Sequence, residues 1–200
     1  SQKSQPYEVI IANDGSELST QNLIEEFMVK TNLKIIHSFQ EDFGFRVAES
    51  RNKAISSASG DYIVLIDGDM ILHPEFIGDH LRNAQCGYFI QGSRVLITKM
   101  KTKEVIKSKK LAFNLFTPGL SNRLNSIHSR LLSKIFSIKK NHLIGIRTCN
   151  MSFFREDCLK VNGFNNDFIG WGREDSEFVV RLFNKGFKRK TVKFSAIQYH

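Results

Sequence analysis

Short apolar runs in this chain alternate with segments whose apolar residues recur every three or four positions. YEVIIA (7–12) predicts a strand, followed by the turn residues NDGS (13–16). STQNLIEEFMVKT (19–31) has helical spacing, with Ser19 or Thr20 as its N-cap. LKIIHSF (33–39) predicts a second strand, and RVAESRNKAISSAS (46–59) a helix closed by Gly60. DYIVLID (61–67) predicts a third strand, whose unbroken apolar run implies cover on both faces. PEFIGDHLRNAQ (74–85) predicts a helix with Pro74 at its first position, and GYFIQGSRVLI (87–97) a further strand. Near the end, Glu174 and Asp175 open a helix that turns Phe178, Val179, Leu182 and Phe183 to the core and closes at Gly186, before the strand-like FSAIQY (194–199).

This alternation predicts an α/β fold, a mixed but mainly parallel sheet flanked by helices. Ligands of such sheets bind beyond the carboxyl ends of the strands, so Asn13–Ser16 and Asp67–Asp69 are expected to line one crevice. The chain enters a strand within seven residues, and SQKSQP reads as the tail of a helix and its loop. A first strand–helix unit is therefore expected upstream.

Composition narrows the class. Two hundred residues with 41% hydrophobic content suffice for one domain with a real core. No apolar run is long enough to span a bilayer and no signal-peptide pattern opens the sequence. Three cysteines (Cys86, Cys149, Cys158) without a C-x-x-C pair argue against a disulfide framework and a cysteine zinc site, and for a reducing, cytoplasmic setting. The net charge of +9 is concentrated: residues 94–140 hold twelve Lys or Arg and one acid (Glu104), a net +11 against −2 for the remainder. A nucleic acid, an anionic membrane surface or a phosphorylated substrate would each suit such a segment.

The candidate chemistry begins at Asp67 and Asp69. On a strand, alternate residues point the same way, so their carboxylates would lie about 6 Å apart and repel by about 3 kcal/mol at an effective dielectric near 20. A cation removes that cost. Oxygen ligands favour Mg²⁺ or Mn²⁺, with a diphosphate to complete the shell, and Gly68 leaves room for a bulky ligand. A solvated turn with Asp at its ends is the plainer alternative.

VIIANDGS, ESRNKAISSASGDYIVLIDGDM and GFNNDFIGWGREDSEFVVRL, in this order, resemble family 2 glycosyltransferases of the GT-A (Rossmann-like) fold. Within that family the chain is most similar to the subgroup with a galactosyltransferase-like C-terminal half, which includes bacterial chondroitin polymerases. The resemblance covers all but residues 94–140. It implies one glycosyltransferase domain over 1–200, with a nucleotide-sugar-binding half (1–93), a basic insertion (94–140) and an acceptor and catalytic half (141–200). It also implies inverting transfer of Gal, GalNAc, Glc or GlcNAc from a UDP-sugar to a saccharide or lipid-linked acceptor.

Position by position, the resemblance makes Asp14 the acceptor of a hydrogen bond from uracil, a role suited to a carboxylate, which only accepts. It places Arg51 and Asn52 near the nucleotide, with Ser50 and Lys53 departing from the family's usual alanine and glycine. It assigns Asp67, Gly68 and Asp69 to the D-x-D motif and its diphosphate, and completes a Mn²⁺ or Mg²⁺ site with His200. Trp171, between Gly170 and Gly172, is implied to stack on a sugar. Asp175 becomes the general base and Glu174 an acceptor ligand, while Arg173 replaces a glycine of the usual GWGGED. Removing the acceptor hydroxyl's proton as attack develops contributes about 10²–10⁴-fold.

Of the remaining residues, His37, His73, His80, His128 and His142 show no metal-ligand spacing and read as surface or packing residues. Asn150 is expected to line the acceptor pocket. In the basic segment, Leu120, Leu124, Ile127, Leu131, Ile135 and Ile138 predict an amphipathic helix with a basic polar face. It either packs on its own domain or docks on the inner face of the plasma membrane, where lipid-linked acceptors lie, ordering over the site when a substrate binds. A sugar-phosphate nucleotidyltransferase would also use paired aspartates, but would want a Gly-rich basic phosphate loop near the start. A nucleic-acid binder is disfavoured, since the segment carries only Phe113, Phe116 and Phe136 as aromatics.

Overall fold

The computed structural model describes residues 2–200. In chain order its elements are β1 (Val9–Asp14), α1 (Leu18–Lys30), β2 (Ile35–Gln40), α2 (Val47–Ser57), β3 (Tyr62–Ile66), β4 (Ile71–Leu72), α3 (Phe76–Asn83), β5 (Tyr88–Gln91), β6 (Ser93–Ile97), α4 (Lys99–Ser108), β7 (Leu120–Ser121), a 3-10 turn (Arg123–Ser126), α5 (Arg130–Phe136), β8 (Ile138–Lys140), β9 (Asn150–Phe154), α6 (Arg155–Lys160), α7 (Glu174–Asn184), β10 (Lys188–Thr191) and β11 (Ile197–Tyr199). They form two compact units. One comprises Val64–Phe153, Phe187–His200 and the residues up to Gln5; the other comprises Pro6–Ile63 and Phe154–Gly186.

In the unit that starts at Pro6, β1 and β2 pair in parallel, Val9 opposite Ile35, and α2 packs across both. α2 buries Ala48, Ala54 and Ile55, small or apolar residues on one helical stripe. Phe164 and Phe178 stack at 4.3 Å in this unit's core. Glu8 ties its elements together: the carboxylate accepts from Lys34 Nζ (2.8 Å), Ser59 N (2.7 Å) and Gly60 N (3.0 Å). The Lys34 bond above all, against the cost of burial, holds its pKa down at about 2. This bonding corrects the expected helix end. α2 stops at Ser57 with Ala58 extended, and Gly60 spends its N–H on Glu8 instead of closing a helix. α1 also begins earlier than expected, capped by the Glu17 carbonyl, so Ser19 and Thr20 fall within its first turn.

The other unit holds a five-stranded sheet, β3-β9-β5-β10-β8, and a four-stranded one, β4-β11-β6-β7. β10/β5 and β11/β6 pair in parallel, and β10/β8, β5/β9, β11/β4 and β6/β7 antiparallel. The mixed α/β class is as expected. The expected single strand 87–97 is instead two, β5 and β6, in different sheets. They break at Gly92, where a Cβ would meet Asn150 Oδ1 at 2.2 Å and the Ala196 carbonyl at 2.6 Å. Only glycine lets the chain turn that corner against those groups.

The expected helix over 120–138 is not formed. The segment becomes β7, the 3-10 turn, α5 and β8, interrupted by Asn122 in the left-handed region (φ 57°) and by Ser129, whose side chain caps α5. Of its apolar series, Leu120 is buried in a cluster with Val95, Ile197 and Tyr199, while Leu124, Leu131 and Ile135 are exposed. α3 starts at Phe76, two residues after Pro74, because the Phe76 N–H closes a turn onto the His73 carbonyl. No helix tail stands at the start of the chain among the described residues; Ser1 lies outside them. Gln2 Nε2 donates to the His73 carbonyl (2.9 Å) and Lys3 N to that of Pro74 (2.9 Å).

Candidate active site

The D-x-D residues lie beyond the last residue of β3, Ile66, in an exposed turn rather than on the strand. Strand alternation therefore does not set their geometry. A neighbouring strand does: His200, following β11, places Nε2 3.2 Å from Asp69 Oδ2. The backbone of His200 is fixed on both sides, its N–H on the Val95 carbonyl (3.0 Å) and its carbonyl on the Ile97 N–H (2.7 Å). Asp67 stands near Cys149; after burial, its charge helps push that thiol's pKa up. Among the described residues, and apart from its own chain neighbours, no atom lies within 4 Å of where a Gly68 Cβ would stand, so the space over the turn is open to a ligand. Carboxylate oxygen and imidazole nitrogen suit Mn²⁺. Among the described residues no group of three or more acids, histidines or cysteines is gathered to hold a metal unaided, so further ligands would have to come from substrate or water.

In the other unit, Asp14 closes β1. Its Oδ1 accepts from Gln40 Nε2 (2.6 Å) and its Oδ2 from Arg46 N (2.6 Å). These bonds orient the carboxylate and leave lone pairs for another donor. The turn that follows is tight. Asn13 Oδ1 accepts from Ser16 N (2.8 Å), and Gly15 has φ +78° with its missing Cβ directed at the Asp42 Cα, 2.5 Å away. Gly15→Ala is expected to cost about 2–3 kcal/mol, from left-handed strain plus a backbone collision, read as a lower urea midpoint. An unchanged midpoint would mean that Asp42 is free to move away.

Arg51 and Glu174, 123 positions apart, form a nearly buried ion pair at 3.0 Å, with the Arg51 guanidinium over the Phe164 ring at 5.5 Å. Glu174 Oε1 takes that bond; Oε2 is buried without a hydrogen-bond partner among the described residues. Asp175 lies beside them at the start of α7, its Oδ1 accepting from Ser176 N (2.6 Å). Burial and then the Glu174 charge push the Asp175 carboxyl above its ordinary 3.8, opposed by Ser176 and Arg51. Arg173, just before α7, has φ 72°, the left-handed backbone that glycine adopts without strain. Trp171 is 93% exposed between Gly170 (φ 88°) and Gly172 (φ 107°), both in backbone that only glycine adopts readily.

Asn52 is committed elsewhere. Its Nδ2 donates to the Phe164 carbonyl and to Asn166 Oδ1 (both 2.7 Å), and its Oδ1 accepts from Phe164 N (2.8 Å). It clamps the loop that leads toward Trp171, beside a cleft of about 560 Å³ lined also by Asn165, Glu177 and Arg181. Asn150, expected to line the acceptor pocket, is instead buried. It is 1% exposed and bonded to the carbonyls of Ser93 and Ala196, because β9 begins there against the Gly92 corner. Gln40 and the Arg46 backbone, which orient Asp14, could not be foreseen from the sequence; a backbone N–H carries no side-chain signal.

The profile described as Glycosyl transferase family 2 matches residues 1–162, and that described as N-terminal domain of galactosyltransferase matches residues 133–200. The chain is 25% identical to a chondroitin synthase of Escherichia coli over 97% of its own length and 30% of that protein's. It is 26% identical to a validoxylamine A glucosyltransferase of Streptomyces hygroscopicus subsp. jinggangensis, over 90% of this chain and 44% of that one. It thus spans less than half of either relative. Among solved structures, GalNAc-T7, crystallised with UDP, GalNAc and Mn²⁺, superposes with a TM-score of 0.66 at 12% identity, covering 99% of this chain and 39% of that one. Staphylococcus aureus TarS, in complex with UDP-GlcNAc, gives 0.62 at 15% identity, covering 100% and 51%. These neighbours share the fold. With the family profile spanning most of its length, the chain belongs to glycosyltransferase family 2.

Proposed function

We propose that this glycosyltransferase moves a hexose or N-acetylhexosamine (Glc, Gal, GlcNAc or GalNAc) from a UDP-sugar, with inversion, to a saccharide or lipid-linked acceptor during surface polysaccharide synthesis. The observation that carries the reading is the acid pair at the start of α7. Glu174 has one oxygen held by Arg51 and the other buried without a hydrogen-bond partner among the described residues, and Asp175 beside it is raised in pKa. A buried carboxylate oxygen lacking a donor is costly, and a sugar hydroxyl supplies one. Glu174 then binds the acceptor, Arg51 holds its other oxygen in place, and Asp175 takes the proton of the attacking hydroxyl.

Asp14 reads the uracil N–H through its remaining lone pairs, and Asn52 acts through the loop it clamps. Trp171 covers a sugar ring. With substrate or water oxygens as further ligands, Asp67, Asp69 and His200 would hold a Mn²⁺ or Mg²⁺ ion, which would stabilise the leaving diphosphate as a Lewis acid. Relatives named for chondroitin and glucosyl transfer, and fold neighbours crystallised with UDP or a UDP-sugar, support the donor class. The test is incubation with a panel of UDP-sugars and Mn²⁺. UDP is the expected product, and a metal chelator is expected to stop its release. Pyrophosphate released from a nucleoside triphosphate and a sugar phosphate would instead establish a nucleotidyltransferase and overturn this reading.

A further inference from the structure

The chain between β6 and β7 leaves the sheet at Thr98 and returns at Gly119, where the Thr98 N–H donates to the Gly119 carbonyl (2.8 Å). The excursion is held from beneath. Val105 is buried, Phe113 packs against Tyr199 at 4.5 Å, and Lys101 pairs with Glu104 (2.7 Å). The rest faces outward. Met100 (84%), Ile106 (72%), Leu111 (59%) and Phe116 (84%) are exposed, and so are Lys99, Lys103, Lys107, Lys109 and Lys110. On α4, the turns that carry Met100, Lys103, Ile106 and Lys107 lie away from the face of Lys101 and Val105. Lys110 and Phe116 also border a cleft of about 390 Å³ on the same excursion.

Large exposed aliphatic groups interleaved with lysines satisfy neither water nor an ordinary protein partner of mixed charge. They match a surface that is negative outside and hydrocarbon beneath. We propose that the Thr98–Gly119 excursion is a peripheral docking element for an anionic lipid bilayer. Its lysines meet the headgroup phosphates, and Met100, Ile106, Leu111 and Phe116 enter the acyl boundary. Ten residues of α4 are too few to span, and among the described residues no helix is long and apolar enough to cross a membrane, so the contact is interfacial. The element differs from the helix that residues 120–138 suggested. Aromatic stacking, on which single-stranded nucleic acid relies, is represented on this outward face by Phe116 alone, whereas its aliphatic groups suit lipid.

The test is co-sedimentation of the whole chain with phosphatidylcholine vesicles, with and without about one-third phosphatidylglycerol, at low and high salt. The expected result is binding only to the anionic vesicles, weakened by salt. At about fivefold per lysine, the combined Lys103→Gln, Lys107→Gln and Lys110→Gln variant is expected to bind about 100-fold more weakly. Ile106→Ser with Phe116→Ser is expected to lose binding that persists in high salt. All these side chains are exposed, so melting temperature and UDP release with a soluble acceptor should not change. Equal binding to both vesicle types, no binding at low salt, or no effect of the lysine variant would overturn the proposal. So would retention of RNA without vesicle binding, or a dimer dispersed by the Ile106 and Phe116 changes. Sedimentation is read without donor or turnover, so its result stands even if the transfer assay fails.

Discussion

Asp175→Asn is expected to lower kcat by about 10²–10⁴-fold while leaving donor affinity and folding nearly intact. The amide keeps the size of the side chain and can still accept from the Ser176 N–H, now 2.6 Å from Oδ1, but it cannot take a proton from a hydroxyl. The wild-type rate should show an acid limb, because the base must be ionised. Burial and the neighbouring Glu174 raise the Asp175 pKa above 3.8, so the limb should lie above the range of a free aspartate and disappear in the variant. Stability supplies a second sign. A carboxyl whose folded pKa is raised favours folding while protonated, below its unfolded value, and loses that contribution as pH rises through its folded value. At neutral pH the Asn variant should therefore be no less stable than the wild type. Donor binding is read by thermal shift and rates by UDP release. A variant that unfolds early, or one that keeps more than a tenth of kcat, would remove Asp175 from the role of base.

Much of this arrangement could be read from residue order, and the exceptions share a cause. β3 was visible because five consecutive apolar residues end at an acidic turn, and α7 because its acids, its apolar stripe and Gly186 are all local. Gly186, with φ 87°, closes that helix as expected. The structure departs from the local pattern where a distant contact overrides it. Gly92 looked like one residue in an apolar strand; Asn150 and Ala196, packed against it, make it a corner. Leu and Ile residues from 120 to 138 keep helical spacing, yet Leu120 pairs with Ile97 and packs on Val95, Ile197 and Tyr199, and the segment breaks at a left-handed Asn122 and at the Ser129 cap. The candidate site divides in the same way. Its residue types were legible in short motifs, whereas the pairs that orient them, Arg51 with Glu174, His200 with Asp69 and Gln40 with Asp14, join positions 26 to 131 apart.

Asp79→Ala is expected to destabilise the protein by about 3–5 kcal/mol, the usual cost of stripping one partner from a buried charged network. Asp79 sits on the helix α3 beside His80, and both side chains are fully buried. Its Oδ1 accepts from Arg82 (2.6 Å), and its Oδ2 from His128 (3.0 Å) and from the backbone N–H of Ala196 (2.9 Å). That last bond matters most. Phe194 and Ala196 have φ of 55° and 49°, left-handed backbone that non-glycine residues adopt at a cost. The Ala196 carbonyl is held by Asn150 Nδ2 (2.9 Å), so acid and amide grip the two ends of one strained residue just before β11. Asn150 Oδ1 in turn faces His80 Nε2 (2.9 Å), and Ser152 Oγ faces His80 Nδ1 (2.7 Å). Burial lowers the His80 pKa to about 4, so the ring is neutral, with its proton on Nε2. A histidine depressed in this way makes stability rise with pH between about 4 and 6.5 and level off above. Alanine at 79 takes the acceptor from the Ala196 N–H and from the His128 ring, and leaves Arg82 with Glu75 (2.9 Å). Asparagine keeps an oxygen for Ala196 but turns an NH₂ toward Arg82 or His128, and should cost about half as much. Urea midpoints order the three proteins. A loss below 1 kcal/mol for alanine would mean that the bend before β11 holds itself, and that the position of His200 owes nothing to the buried acid.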